Sequence, residues 1–161
     1  MRAQGHFGLA LLASSLALWA AGVDPVSQSG VALTGAAVAS CMLPDLDLPV
    51  GLRHRAYTHS LLWALLLGAA GLLASPCCPV WVGAGLALGY GSHVAGDLLT
   101  YRRFPPLWPL CGCRVSLGLF RADSRAANSL LLFLGVAAYT YLAASPAIHA
   151  ALLRNISIPL G

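Results

Sequence analysis

The stretch from Ala56 to Gly96 reads AYTHSLLWALLLGAAGLLASPCCPVWVGAGLALGYGSHVAG and contains neither Arg nor Asp. A membrane-spanning helix takes about 20 mostly apolar residues, so this run accommodates two. Ser75-Pro76-Cys77-Cys78-Pro79 divides them, because proline lacks a backbone donor and ends a helix. Outward from this pair, Ala3 to Val23 is free of charge and reads as an earlier span. Pro25 to Pro44 reads as another, starting near Ser29 and stopping at Pro44. Ala126 to Leu153 supplies a fifth, ending near Ser145-Pro146. Between Leu99 and Arg125 lies a loop rich in Pro and Arg. The expected fold is an all-α polytopic membrane bundle of about five helices, forming a single domain over residues 1–161.

Composition points the same way. The 161 residues are 58% hydrophobic and 9% charged, against about 25% charged in an ordinary soluble domain. Mean hydropathy is +0.77. A disordered chain, a nucleic-acid-binding tail and a soluble globule are all excluded, and no nucleic-acid partner is expected. Every cation is Arg and every acid is Asp. The five cysteines form no disulfide framework and read as apolar fillers and loop thiols. Arg2, the following apolar run and Ala20-Ala21-Gly22 loosely fit a signal peptide, but His6 at the start of the run favours a retained helix.

Five spans put Arg2, Arg53, Arg55, Arg102, Arg103, Arg114, Arg121 and Arg125 on one side and Arg154 on the other. The positive-inside rule makes the arginine-rich side cytoplasmic. The expected location is the inner membrane, multi-pass, with the N-terminus cytoplasmic. Gly85 and Gly89 form a small-xxx-small pattern on the fourth span, read as helix contact within the monomer.

On this topology His6, Asp45, Asp47, His54, His59, His93 and Asp97 gather at the cytoplasmic ends of four helices. His93 and Asp97 are four residues apart and share a helix face, a metal-ligand spacing. Leu48 precedes Pro49 and is expected to be extended, which would point Asp45 and Asp47 the same way. Each feature alone has a plain reading: a buried hydrogen-bonded pair, a helix stop, a positive-inside anchor at His54-Arg55, a helix N-cap at Thr58. Asp24 and His149 fall on the opposite side and read as structural. Their convergence on one face, where ionisable groups are costly, points instead to a metal site.

The motifs Leu43-Pro44-Asp45-Leu46-Asp47, His54-Arg55-Ala56-Tyr57-Thr58-His59-Ser60 and His93-Val94-Ala95-Gly96-Asp97, in this order, resemble the YdjM-like family of inner-membrane metal-dependent hydrolases. The resemblance runs from His6 to about Phe120. It extends remotely to the zinc-dependent bacterial phospholipase C group. It implies metal ligation by His6, Asp45, His59, His93 and Asp97, with Asp47 as a bridging or neighbouring carboxylate. The phospholipase group has a later His-x-x-x-Glu pair. This chain has no Glu, so its ligands suit one divalent metal, zinc by the resemblance, or a pair at most.

The expected function is a membrane-bound metal-dependent hydrolase, a phosphoesterase acting at the cytoplasmic face. Asp47 or His54 would be the general base. Arg55, Arg102 or Arg103 would hold a phosphate oxygen. A lipid or lipid-linked phosphoester suits that depth, and the oligomeric state is open. The alternative is a non-enzymatic carrier or membrane-organising protein with a structural metal or proton site.

Overall fold

The computed structural model describes residues 1–51 and 54–156, with residues 146–156 described by backbone alone. The described residues form five α-helices and no strand: α1 Ala3–Ala21, α2 Gln28–Ser40, α3 Leu61–Ala74, α4 Pro79–Leu98 and α5 Arg125–Ile156. A 3-10 helix, Leu43–Asp47, follows α2. The fifth helix runs through Ser145-Pro146 rather than ending there. Arg53 and the side chains of His149 and Arg154 lie outside the described residues.

Local chemistry sets the boundaries. Gly22 closes α1 in the left-handed conformation, φ 64°, where a side chain would be strained. Ser27 caps α2 by accepting from Gly30 N at 3.2 Å. Ser60, not Thr58, caps α3, accepting from Leu62 N at 3.2 Å. Pro79 opens α4, where its missing N–H costs nothing.

α4 is the hub, packing on α1, α2 and α3, while α5 packs on α1. Backbones meet closely because the contact residues lack side chains. A Cβ on Gly85 would lie 2.2 Å from Leu33 O, and one on Gly89 would lie 2.0 Å from Ala37 O. The expected small-residue contact within the monomer is therefore the α2–α4 seam.

The outward faces are apolar. Leu65, Leu73, Phe133 and Tyr141 are exposed, Leu73 by 86%. Surfaces of this kind are covered by lipid rather than water. Two segments, Gln28–Asp47 and Arg125–Ser145, are long and apolar enough to span by length and composition. α3 has 14 residues, roughly 21 Å at 1.5 Å per residue, short of the ~30 Å hydrocarbon core. α1 and α4 have 19 and 20 residues, but their inner faces carry Gly, Ser and His, which dilute their hydropathy. The all-α bundle of five helices is as expected, and two segments among the described residues meet the length and composition of a span.

Two further expectations are corrected. Leu48 is helical, φ −64° and ψ −54°, because the turn is held by Leu48 N donating to Asp45 O at 3.1 Å. Asp45 and Asp47 are therefore not on one side of an extended strand. Cys111 and Cys113 are joined in a disulfide rather than standing as loop thiols, whereas Cys77 and Cys78 are free.

The loop after α4 folds back over the cytoplasmic ends expected from the sequence. Phe104 pairs with Val115, and Leu61 N donates to Pro106 O at 2.9 Å. Phe104 is fully buried against Ala64, Tyr90 and Val94. This plug, with the 3-10 helix and the 54–60 segment, encloses the candidate site.

Candidate metal centre

α4 projects His93 and Asp97 inward one turn apart, and both are fully buried. α1 adds His6, buried and stacked on His93 with ring centroids 3.6 Å apart. The 3-10 helix adds Asp45, and the 54–60 segment adds His59, also fully buried. All five expected ligands meet at one place. Asp45 is the one with solvent access, its side chain being 19% exposed.

The distances among the donor atoms are short. His59 Nε2 lies 3.2 Å from Asp97 Oδ2, 3.4 Å from Asp45 Oδ1 and 3.3 Å from His93 Nε2. His93 Nε2 lies 3.4 Å from Asp45 Oδ1 and 3.8 Å from Asp97 Oδ2. Tetrahedral ligands at zinc-like bond lengths of about 2.0–2.1 Å stand roughly 3.3 Å apart. His6, Asp45 and His93 make a second triad, and Asp45, His54 and His59 a third, each with ligand atoms within 4.8 Å.

Hydrogen bonding tests whether a cation fits. Both ring nitrogens of His6 and Asp97 Oδ2 are buried without a hydrogen-bond partner. Asp97 Oδ2 has His59 Nε2 as a close neighbour, 3.2 Å away. His93 Nδ1 lies 2.6 Å from the Cys41 carbonyl. A carbonyl only accepts, so Nδ1 carries the proton and the Nε2 lone pair faces two carboxylates. Lone pairs directed at carboxylates inside a protein need a cation or a proton between them. The donor set of imidazole and carboxylate suits zinc and related divalent ions.

Asp47 stands one layer out. It is 1% exposed and accepts from Thr58 Oγ1 at 2.7 Å and Arg55 N at 3.2 Å, with His54 Nδ1 at 3.0 Å. These partners turn it toward the 54–60 segment, so it orients that segment rather than bridging. Thr58, having given its proton to Asp47, accepts from His59 Nδ1 at 3.0 Å. That relay leaves His59 Nε2 free for the centre, as is usual for metal-binding histidines. Burial lowers the His59 imidazole, but the adjacent Asp45 and Asp97 carboxylates outweigh it and hold its pKa above the usual histidine value.

Arg55 is buried with its backbone in the left-handed region, φ 61°. Such strain costs about 1–3 kcal/mol and persists where neighbours enforce it. Its Nη2 donates to Asp97 Oδ1 at 2.7 Å and its Nη1 to Thr100 Oγ1 at 3.2 Å. The guanidinium is thus held at two points, by Asp97 through Nη2 and by Thr100 through Nη1. The N-terminal amine of Met1 meets the same oxygen. His54 is half-buried and lines an open cleft of about 220 Å³ beside the centre.

Sequence reasoning missed Thr58, read as a cap, and the roles of Thr100 and the Cys41 carbonyl. Thr58 lies inside the His-Arg-x-x-Thr-His-Ser motif, and that position between two candidate ligands was the available signal. Asp24 accepts from Val26 N at 3.0 Å in the α1–α2 turn, as a structural residue should.

Comparison with known proteins gives a consistent result. The family described as YdjM inner membrane protein matches residues 1–158. Inner membrane protein YdjM of Escherichia coli (strain K12) is 32% identical over 164 residues, covering 88% of this chain and 81% of that protein. The Shigella flexneri protein of the same name matches to the same extent. No solved structure matches the chain.

Proposed function

This chain belongs to the YdjM inner membrane protein family, and from that premise we propose that it is a membrane-bound metal-dependent hydrolase, a phosphoesterase working at the cytoplasmic face. The observation that carries the reading is the cluster of Asp45, His59, His93 and Asp97, in which each histidine Nε2 stands 3.2–3.8 Å from the other and from both carboxylates. These four residues would hold a zinc-like ion, with His6 and Asp45 available to a second. When bound, such an ion acidifies a water and polarises a phosphoryl oxygen.

The chain's own groups supply the rest. His54 Nδ1 faces Asp47 at 3.0 Å, which orients the ring and leaves Nε2 to take a proton from the attacking water. Asp47 is then the positioning residue behind that base. Arg55 fixes Asp97 and opposes its charge within the buried shell. The arginine count of eight against one supports a multi-pass topology with this end in the cytoplasm.

The test is metal analysis and turnover of a phosphomonoester and phosphodiester panel on the purified protein in detergent. Bound metal with hydrolysis supports the reading. Metal without turnover across the panel would make the centre structural, in a non-enzymatic membrane protein. Absence of stoichiometric metal would overturn both.

A further inference from the structure

The 54–57 segment and the loop after α4 enclose a cleft of about 220 Å³ beside the centre, lined by His54, Arg55, Tyr57, Arg102, Trp108 and Arg114 among others. Among the described residues no carboxylate lines it. Among the described residues the arginine ion pairs are Arg55 with Asp97 and Arg121 with Asp123. Arg102 and Arg114 therefore face the same space without a carboxylate partner. Arg114 Nη2 donates to the Arg103 carbonyl at 3.3 Å, which fixes one edge of its guanidinium and leaves the other for a ligand. Arg103, expected from sequence to hold phosphate, does not line the cleft.

Like charges brought together are stabilised by an anion between them. Guanidinium forks fit tetrahedral oxyanions in bidentate fashion. The volume is below the ~300–1,000 Å³ of pockets for drug-sized ligands, so a small headgroup fits and a nucleotide does not. The rim is apolar. Leu107 and Leu110, 50% and 84% exposed, flank Trp108 on the same loop, and Tyr57 is 52% exposed against Trp108 with ring centroids 5.1 Å apart. Leucines with amphipathic aromatics at the end of a membrane bundle belong at the headgroup level. A ligand in the cleft then has its charged end on the arginines and its apolar part among lipid.

We propose that this cleft is the subsite for a phosphate-bearing lipid headgroup, with Arg102 and Arg114 as its anion clamp. It rests on the phosphoesterase reading for its place beside the centre. The clamp sets which phosphoester reaches the metal residues; neither arginine is assigned a part in bond breaking.

The experiment titrates three probes into the full-length protein in detergent by calorimetry: dioctanoyl phosphatidic acid, inorganic phosphate and dioctanoylglycerol. Arg102→Gln and Arg114→Gln should each weaken phosphatidic acid binding by roughly tenfold or more, with the lysine variants intermediate. Arg125→Gln, away from the cleft, should bind as the parent does. Inorganic phosphate should bind more weakly but with the same dependence on arginine, and dioctanoylglycerol should show no such dependence. Metal content and melting temperature are measured on every variant, and both should hold because the two arginines are exposed. Unchanged phosphatidic acid affinity in both glutamine variants would overturn the clamp. Inorganic phosphate binding as tightly as phosphatidic acid would overturn the lipid assignment. Arginine-dependent binding by a protein without metal or turnover would retire the phosphoesterase reading and leave the clamp standing.

Discussion

The Nε2 atoms of His59 and His93 stand 3.3 Å apart, and each ring is held from its Nδ1 side. The His93 ring gives its proton to the Cys41 carbonyl, and the His59 ring gives its proton to Thr58. Two lone pairs therefore converge on a space bounded by Asp45 and Asp97. Electrostatic repulsion makes that arrangement costly in a buried setting unless a cation occupies it.

Removal of a ligand should empty the centre. His93→Ala and Asp97→Ala are expected to lose bound metal while still inserting in the membrane, with losses beyond the roughly 10–100-fold typical of outer partners. Asp123, exposed and paired with Arg121, is the control. Metal retained by both alanine variants and lost in Asp123→Ala would refute the cage.

The paired carboxylates should separate. Asp45→Asn is expected to lose metal, because an amide is a poor ligand for a zinc-like ion. Asp47→Asn should keep metal and lose turnover, because the His54 ring loses its orienting carboxylate. Metal content and hydrolysis rate on the two variants decide between them, and a reversed pattern would exchange the two roles.

Thr58→Val preserves shape and removes the hydroxyl between Asp47 and His59. Leaving His59 Nδ1 without an acceptor should cost about 1–3 kcal/mol and weaken metal affinity roughly 10–100-fold. Equilibrium metal titration reads this. Wild-type affinity in the variant would show that the relay does not orient His59.

The stability that metal confers should depend on pH. In metal-depleted protein the raised His59 pKa means that the folded state binds a proton more tightly than the unfolded one. Its stabilisation is full below the unfolded value of about 6.5 and is lost as pH rises through the folded pKa. In metal-loaded protein the same proton competes with the ion, so acid releases metal and lowers stability. The gap between melting temperatures with and without chelator should shrink as pH falls from 8 to 5. A gap that does not change with pH would remove His59 from the ligand set.

Gly89→Ala should disrupt the α2–α4 seam. The added Cβ would sit 2.0 Å from Ala37 O, and main chain cannot yield as a flexible side chain does. Overpacking of this kind costs about 1–3 kcal/mol or more. A melt in detergent should show the loss, and Gly35→Ala, where nothing lies within 4 Å, should not.

What the sequence determined by itself were properties of local spacing and composition. Apolar length and scarce charge specify helices in lipid. Four-residue spacing puts His93 and Asp97 on one face, because α-helical periodicity is intrinsic to the backbone. Small residues at Gly85 and Gly89 foretell a close seam for the same reason. Which groups face the ion was decided only by tertiary structure. The 3-10 turn at Leu43–Asp47 aims Asp45 at the His59–His93 pair and Asp47 at the 54–60 segment, and that turn depends on contacts across the fold. Arg55 is drawn to Asp97 across 42 positions of sequence, and His93 to the Cys41 carbonyl across 52. Thr58 becomes a relay because Ser60 takes the cap. Hydrogen bonds between distant segments carry no periodic signal along the chain, so these roles emerge only when α4 brings the segments together.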